Sequence, residues 1–360
     1  MATAASAGRA EATWLDRRWR VLATVAPPFF LGAFPLILLV WILYLAGDSL
    51  AVDFRHELWP GGRAVLDGVS PYPPLADVQT GARFVFPAPA ALLMAPIALL
   101  PLASAVIVFT VLVACAGFLT LRVLGVTDWR VYGAALLWAP VVSAVQTANL
   151  TLLLALAAAL VWRYRDRAWL AGTALGAAVA LKLILWPLFI WLLATRRYKA
   201  SAVSLAVGAV LTAASFAVVG HLGYYVDVAR ELDATFAPKS YTPYALALKL
   251  GASGSVAHAI GYAIAAIALL GVWRYRSFTL AIVAVLLASP VVWLHYFALL
   301  IVPMAILRPR FSPLWLLPLL AWPAPGTWNG HTWQTALILA VLAATGVSLL
   351  RAASKQPATG

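Results

Sequence analysis

Residues 21–46, VLATVAPPFFLGAFPLILLVWILYLA, form an apolar stretch that follows the arginines at positions 17, 18 and 20. At about 20 residues per crossing, the stretch is long enough to span a bilayer as one helix. It exceeds the roughly 7–15-residue core of a signal peptide, and no small-residue cleavage site follows it. Because basic residues favour the cytoplasmic side, the sequence predicts an uncleaved signal-anchor helix with its N-terminus inside.

The composition of the whole chain is also strongly apolar. Of its 360 residues, 64% are hydrophobic and 10% are charged, whereas soluble domains have about 45–50% apolar and about 25% charged residues. A soluble enzyme, a disordered chain and a secreted disulfide scaffold are therefore excluded. The net charge of +13 is explained by basic cytoplasmic loops, so we expect no nucleic-acid partner. The predicted fold class is an all-α polytopic membrane protein.

Basic clusters divide the chain into hairpins and predict twelve crossings. The first helix, 23–46, leads into a long outer loop at 47–84, and the proline-rich segment 85–100 is predicted to be juxtamembrane or re-entrant. The other eleven predicted crossings are 102–121, 131–146, 148–162, 168–181, 183–195, 200–219, 255–272, 278–294, 296–307, 313–322 and 333–350. Several are shorter than about 17 residues. Short, broken helices indicate a cavity that opens on the outer side.

We predict one transmembrane domain, 21–350, between cytoplasmic tails at 1–20 and 351–360. Acidic residues support the predicted orientation, because they gather in the first outer loop, 47–84, and in a second outer loop, 220–254; they are Asp48, Asp53, Glu57, Asp67, Asp77, Asp227, Glu231 and Asp233. The predicted location is the cytoplasmic membrane, with both termini inside and the functional site outside. Alanine-rich helices and abundant arginine are typical of a GC-rich actinobacterium.

Polar side chains lie at the outer ends of the predicted helices: Asp53, Gln146, Asn149, Lys182 and His295. Ionisable residues inside membranes are costly and usually functional. A lysine beside a phosphate would stabilise a leaving group. A carboxylate such as Asp53 would act as a general base on a hydroxyl, and an imidazole could orient the phosphate.

Each of these residues also has a structural interpretation. Asp53 could be a solvated loop acid, and Lys182 could reach towards the interface with its long stem. Gln146 and Asn149 could hold helices together, and His295 could belong to an interfacial belt beside Trp293 and Tyr296. Charge and spacing alone therefore indicate an outer-facing membrane site without specifying a reaction.

Four motifs, in order along the chain, resemble glycosyltransferase family 87. They are DFR at 53–55 with GRAVLDGVSPY at 62–72; FPAP at 86–89 with PIALLP at 96–101; QTANL at 146–150 with AGTALG at 171–176 and Lys182; and SPVVWLHY at 289–296. The resemblance covers roughly residues 20–310. The chain departs from the family pattern at three places: Val145 stands where a glycine is usual, Leu183 where a proline is usual, and His56-Glu57 where two aromatic residues are usual.

The resemblance implies a GT-C-type helical bundle whose first outer loop carries juxtamembrane helices. It implies inverting transfer of a sugar, mannose above all, from a polyprenyl-phosphate donor to a glycolipid or polysaccharide acceptor. Asp53 would then be the general base, and Lys182 and His295 would handle the donor phosphate. Gln146, Asn149, Tyr72 and Trp293 complete the set of expected substrate-binding residues.

Other functions remain open at this stage. The donor could carry arabinofuranose, and the hydropathy profile also fits a lipid-linked sugar transporter or flippase or, more weakly, a structural subunit of a membrane assembly. We expect no cofactor besides the lipid-linked donor substrate. We also expect no metal site, because the sequence has no metal-ligand cluster and no Asp-x-Asp triplet.

Overall fold

The computed structural model describes residues 25–80, 83–220, 222–324 and 330–354. Throughout these ranges the regular structure is helical, and none of it is β-strand. The all-α prediction is therefore confirmed for this part of the chain. The predicted N-terminal tail, 1–20, lies outside the described residues, as do residues 355–360 of the predicted C-terminal tail.

Five helices are long and apolar enough to cross a membrane: Val25–Ser49, Leu102–Val123, Tyr198–Val219, Gly254–Tyr275 and Thr332–Ala353. Each has 22–25 residues, which matches a hydrocarbon core about 30 Å thick. They expose large apolar side chains such as Trp41, Val210 and Ile267. Exposed apolar surface of this extent marks a surface covered by another apolar phase, so the chain is a membrane protein.

Two further helices, Ala139–Gln146 and Thr151–Arg163, meet at an angle of 117° and together have the length of a sixth span. The turn between them includes Ala148, whose φ is 51°. Few non-glycine residues adopt this left-handed conformation. The sharp turn lets the two helices reverse direction inside the protein, where irregular backbone is tolerated.

The remaining apolar helices are too short to cross a bilayer alone: Ala88–Ala98, Ala168–Leu181, Leu183–Ala194, Phe278–Leu287 and Leu294–Leu307. The described residues thus contain five long spans, or six with the bent pair, and the count of twelve crossings stays a prediction.

The long helix Tyr198–Val219 packs closely on the short helix Ala168–Leu181. The absence of a side chain at Gly176 permits this, since a Cβ atom there would lie 2.5 Å from the Ser204 carbonyl oxygen.

Five predicted crossings are not continuous α-helices, and two of them, 183–195 and 296–307, begin in the 3₁₀ helices Leu183–Leu185 and Leu294–Leu300. The segment 131–146 is split into Trp129–Leu136 and Ala139–Gln146, because Pro140 cannot donate a hydrogen bond to the preceding turn. The segment 278–294 is helical only to Leu287, ahead of Ser289-Pro290. In place of 313–322 there is a 3₁₀ helix, Pro313–Ala321, with Pro318 inside it.

The two predicted outer loops are largely helical. The first, 47–84, contains a π-helical turn and two α-helices; their bounds are Phe54–Leu58, Trp59–Leu66 and Leu75–Val78. Trp59–Leu66 packs against Ala88–Ala98, where a Cβ atom on Gly62 would lie 2.7 Å from the Met94 backbone. The second, 220–254, contains Leu222–Phe236, Ala237–Lys239 and Pro243–Lys249. The two segments meet, because Gln79 donates to Glu231 and the Tyr224 hydroxyl donates to the Pro73 carbonyl oxygen, both at 2.8 Å.

Candidate active site

A cavity of about 410 Å³ lies among the outer-loop helices and the breaks between the short helices. Five of the seven predicted site residues line it: Asp53, Asn149, Lys182, Trp293 and His295. They come from four separate parts of the chain, so the fold gathers polar side chains that the sequence keeps far apart. The cavity is larger than a few water molecules would need, and it falls within the volume range of ligand pockets.

Asp53 is positioned by the turn between the bent helices. The Ala51 N–H donates to the Gln146 carbonyl oxygen at 2.6 Å, and the Asp53 N–H donates to the Thr147 carbonyl oxygen at 3.2 Å. The Asp53 carboxylate accepts a hydrogen bond from Asn149 Nδ2 at 2.6 Å. Burial raises the pKa of Asp53, while the Asn149 bond and the charge of Lys182 act in the opposite direction.

The amide of Asn149 is itself held in one orientation. Its Oδ1 accepts hydrogen bonds from the Thr151 N–H at 3.1 Å and the Thr151 hydroxyl at 2.8 Å. With the oxygen engaged at the start of Thr151–Arg163, the NH₂ group faces Asp53. The broken helix pair therefore fixes both the backbone and the carboxylate of Asp53.

Lys182 lies at the end of Ala168–Leu181, where the backbone becomes extended with φ −158° and ψ 116°. Its Nζ lies 4.3 Å from the ring centre of Tyr296 and 4.8 Å from that of Phe86. Aromatic faces attract a cation without using its N–H donors. No residue in the described ranges forms a hydrogen bond or ion pair with this ammonium group, so its donors remain available to a ligand.

His295 lies in the 3₁₀ helix Leu294–Leu300 and is only 3% exposed. Its ring makes an edge contact with Tyr296, at 4.7 Å between centres. Both ring nitrogens are buried and have no hydrogen-bond partner among the described residues. Unpaired buried polar groups are rare in proteins and often mark a functional site. A ligand oxygen in the cavity would satisfy this imidazole.

Two predicted site residues lie elsewhere. The Gln146 side chain does not line the cavity, and the residue contributes through its carbonyl oxygen, which accepts from Ala51. Tyr72 lies behind the cavity wall, with its ring 5.5 Å from that of Tyr225, which does line the cavity. Tyr72 also borders a second cavity of about 330 Å³ next to Arg55. Neither side chain therefore lines the main cavity, and the substrate-binding roles of Gln146 and Tyr72 stay predictions.

Three charged residues of the cavity were not predicted as site residues: Glu57, Arg83 and Asp233. Glu57 follows Asp53 by four residues, which is the spacing of neighbours on one helix face, and this signal was present in the sequence. Burial and the negative charge of Asp53 raise the pKa of Glu57 well above its usual range. Asp233 comes from Leu222–Phe236, and only the fold brings that helix to the cavity.

The described residues contain no group of three or more His, Cys, Asp or Glu side chains placed to hold a metal ion. The cavity instead combines three acids, an oriented amide, the ammonium group of Lys182, the guanidinium of Arg83 and a buried imidazole. These groups could bind a phosphorylated and hydroxylated substrate and move a proton.

Exposed apolar helices around a cavity that is lined by charged side chains are typical of an integral membrane protein with a ligand site. The family model "Glycosyltransferase family 87" matches residues 84–303. This is more than half of the chain, which belongs to that family and is a membrane glycosyltransferase with a sugar donor and an acceptor. No match was found among curated proteins or among solved structures. The matched range includes Asn149, Lys182 and His295, whereas Asp53 and Glu57 precede it.

Proposed function

We propose that this protein transfers mannose from a polyprenyl-phosphate donor to a glycolipid or polysaccharide acceptor. The reaction takes place at the outer face of the cytoplasmic membrane, and both termini lie inside. The observation that carries the proposal is a single cavity in which an amide-anchored acid and an unpaired lysine meet, within a chain of a glycosyltransferase family.

Asp53 is the general base of the proposed reaction. Its carboxylate removes the proton from an acceptor hydroxyl, and the acceptor oxygen forms a bond to the anomeric carbon of the donor sugar. The bond between that carbon and the phosphate oxygen breaks, and its electron pair leaves with the lipid phosphate. A single displacement of this kind inverts the anomeric carbon. The hydrogen bond from Asn149 supports this role because it favours the charged carboxylate that a base needs.

Lys182 and His295 bind the donor phosphate in this proposal. A phosphate leaving group gains negative charge as the sugar departs, and a fixed positive group beside it lowers the barrier. The ammonium group of Lys182 lies between two aromatic rings with its N–H donors unused within the described structure. The unpaired imidazole of His295 supplies a second donor at the same cavity.

The lipid and sugar parts of the donor have separate binding surfaces. The polyprenyl chain would lie against exposed apolar side chains such as Leu183, which is 56% exposed and also borders the cavity. Trp293 lines the cavity beside His295 and offers an aromatic face to the sugar ring.

The test is sugar transfer by the purified full chain in detergent, with radiolabelled polyprenyl-phosphate mannose and a lipid extract of the host. Asp53→Asn should lower transfer by about 10²–10⁴-fold, since it removes a general base. Asp67→Asn is the matched control, because Asp67 is a half-exposed acid of the same loop that pairs with Arg63 at 3.0 Å.

Label in a new glycolipid with wild type and Asp67→Asn, but not with Asp53→Asn, would support both the reaction and the base. Wild-type rates in Asp53→Asn would remove Asp53 from the mechanism. A parallel reaction with the arabinofuranose donor shows which of the two sugars the protein transfers. Product formed in detergent, where there is no bilayer to cross, is evidence against a flippase.

A further inference from the structure

Glu57 has no assigned role, although it shares the cavity with the proposed base. It lies in the π-helical turn Phe54–Leu58, directly after Asp53. Side chains four residues apart on a helix have Cβ atoms about 5–6 Å from each other. Both carboxyl groups line the same cavity. π-Helical turns occur frequently at functional sites, and here the turn begins directly after Asp53 and contains Glu57.

A structural role does not explain why the residue at position 57 is an acid. Within the described part of the chain, the Glu57 carboxyl group has no hydrogen-bond or ion-pair partner. An acid taken out of water without a partner destabilises the fold. The helix could have carried an apolar residue at this position, as its neighbours Phe54 and Leu58 do. The arrangement is instead suited to a carboxyl group whose partner arrives with the substrate.

We propose that Glu57 binds an acceptor hydroxyl next to the one that Asp53 deprotonates, so that the acceptor presents a ring with neighbouring hydroxyls. This inference rests on the proposed function and names the acceptor class of the same site. Two carboxyl groups on one helix face converge on adjacent hydroxyls of one sugar ring, whereas a simple long-chain alcohol would leave Glu57 unpaired.

The two acids have different roles because their surroundings differ. Asn149 donates to Asp53 and favours its charged form. Glu57 lacks such a donor, and burial together with the charge of Asp53 raises the pKa of its carboxyl group, which favours the protonated form. A protonated carboxyl group both donates and accepts hydrogen bonds, as does a sugar hydroxyl. Glutamine has the same two capacities and nearly the same shape, whereas leucine has neither.

The test measures acceptor binding and transfer separately, in the full chain in detergent. The probes are tritiated octyl α-mannoside and octyl α-glucoside, used below their micelle concentrations, and 1-octanol as the single-hydroxyl comparison. Glu57→Leu should raise Kd and acceptor KM for at least one glycoside about tenfold, the loss expected for one buried hydrogen bond, with kcat nearly unchanged. Glu57→Gln should restore most of that binding. Glu231→Gln, a glutamate of the second loop that pairs with Gln79 at 2.8 Å, is the control.

Several results would overturn the proposal. These are failure of the wild type to bind either glycoside, equal Kd values in wild type and Glu57→Leu, an equal effect on octanol, or a loss confined to kcat. The binding arm separates this proposal from the proposed function. Glycoside binding that depends on Glu57, without transfer from either lipid-linked donor, would retain the contact and reject the reaction.

Discussion

Two aspartates, Asp53 and Asp128, each stand immediately before a short helix, yet their carboxyl groups have opposite surroundings. Asp128 accepts four hydrogen bonds, three from the backbone and guanidinium of Arg130 and one from the Phe311 N–H, all at 2.9–3.1 Å. Asp53 is held by the amide of Asn149 at 2.6 Å. In the described part of the structure, no cation is within ion-pair distance of it.

The different surroundings move the two pKa values in opposite directions. The Arg130 side chain, followed by backbone N–H groups, lowers the pKa of Asp128 to about 2. Burial raises the pKa of Asp53. A carboxylate whose lone pairs are filled by the protein serves the fold, because it has little capacity left for a ligand. A carboxylate at a cavity wall with one anchoring amide can still accept a proton or bind a substrate.

The strongest test of this difference is to remove the hydrogen bond from Asn149 that orients the Asp53 carboxylate. Asn149→Leu should lower kcat by about 100-fold, because the base loses its orientation and the hydrogen bond that favours its charge. The same change should move the acid limb of the pH–rate profile to higher pH, since loss of a donor to the charged form raises the pKa of Asp53. The profile is measured by sugar transfer in detergent between pH 5 and 9.

The control for that variant is Thr151→Val, which removes the hydroxyl bond to Asn149 Oδ1 but keeps the bond to Asp53. It should retain most of the activity and the wild-type pH profile. If Thr151→Val and Asn149→Leu lose activity equally, the loss comes from a disrupted turn between the two bent helices and not from a change at the Asp53 carboxylate.

A smaller effect is expected from the cation across the cavity. Lys182→Met should raise the donor KM by about 10–100-fold, the loss expected for one charge-assisted hydrogen bond to phosphate. Lys182→Arg should recover part of this, because guanidinium also stacks between the rings of Phe86 and Tyr296. The measurement is transfer as a function of donor concentration. An unchanged KM in Lys182→Met would show that the phosphate binds elsewhere.

The sequence predicted the parts of this molecule that depend on apolar length. The spans Leu102–Val123, Tyr198–Val219 and Gly254–Tyr275 lie within a few residues of the predicted helices, because about 20 apolar residues have few alternatives to a membrane helix. The helix Ala168–Leu181 has the predicted bounds. A basic residue marks one end of each of the three spans, at Arg122, Arg197 and Arg274. Breaks at Trp138 and Ala288 were missed, since apolar runs continue through them and only the nearby prolines signal a break.

The residues of the candidate site also fall into two groups, those that the sequence indicates and those that only the fold identifies. Asp53, Asn149, Lys182 and His295 were found because polar residues between apolar helices are conspicuous, and the structure brings them to one cavity. The sequence does not reveal that the Gln146 carbonyl oxygen accepts a hydrogen bond from the Ala51 N–H, and the substrate-binding role of Gln146 stays a prediction. Glu57 was missed as a site residue because it lies among other acids of the same loop. Only the packing of that loop separates a cavity acid from a solvent-exposed one.

The smallest expected effect concerns Asp128 and tests whether this carboxylate serves the fold and not the reaction. Asp128→Asn should leave transfer unchanged and lower the free energy of unfolding by about 1 kcal/mol at pH 6, since it removes the negative charge that pairs with Arg130 at 2.9 Å. A carboxyl group with a lowered native pKa stabilises the fold above its ordinary pKa of about 3.9 and loses that effect as the pH falls through its native value. The stability difference between wild type and variant should therefore shrink as the pH falls from about 4 to about 2. Denaturant unfolding in detergent, followed by tryptophan fluorescence, measures it. A difference that stays constant over this range would mean that Asp128 is not held charged by Arg130, and the contrast with Asp53 would then rest on position and not on charge.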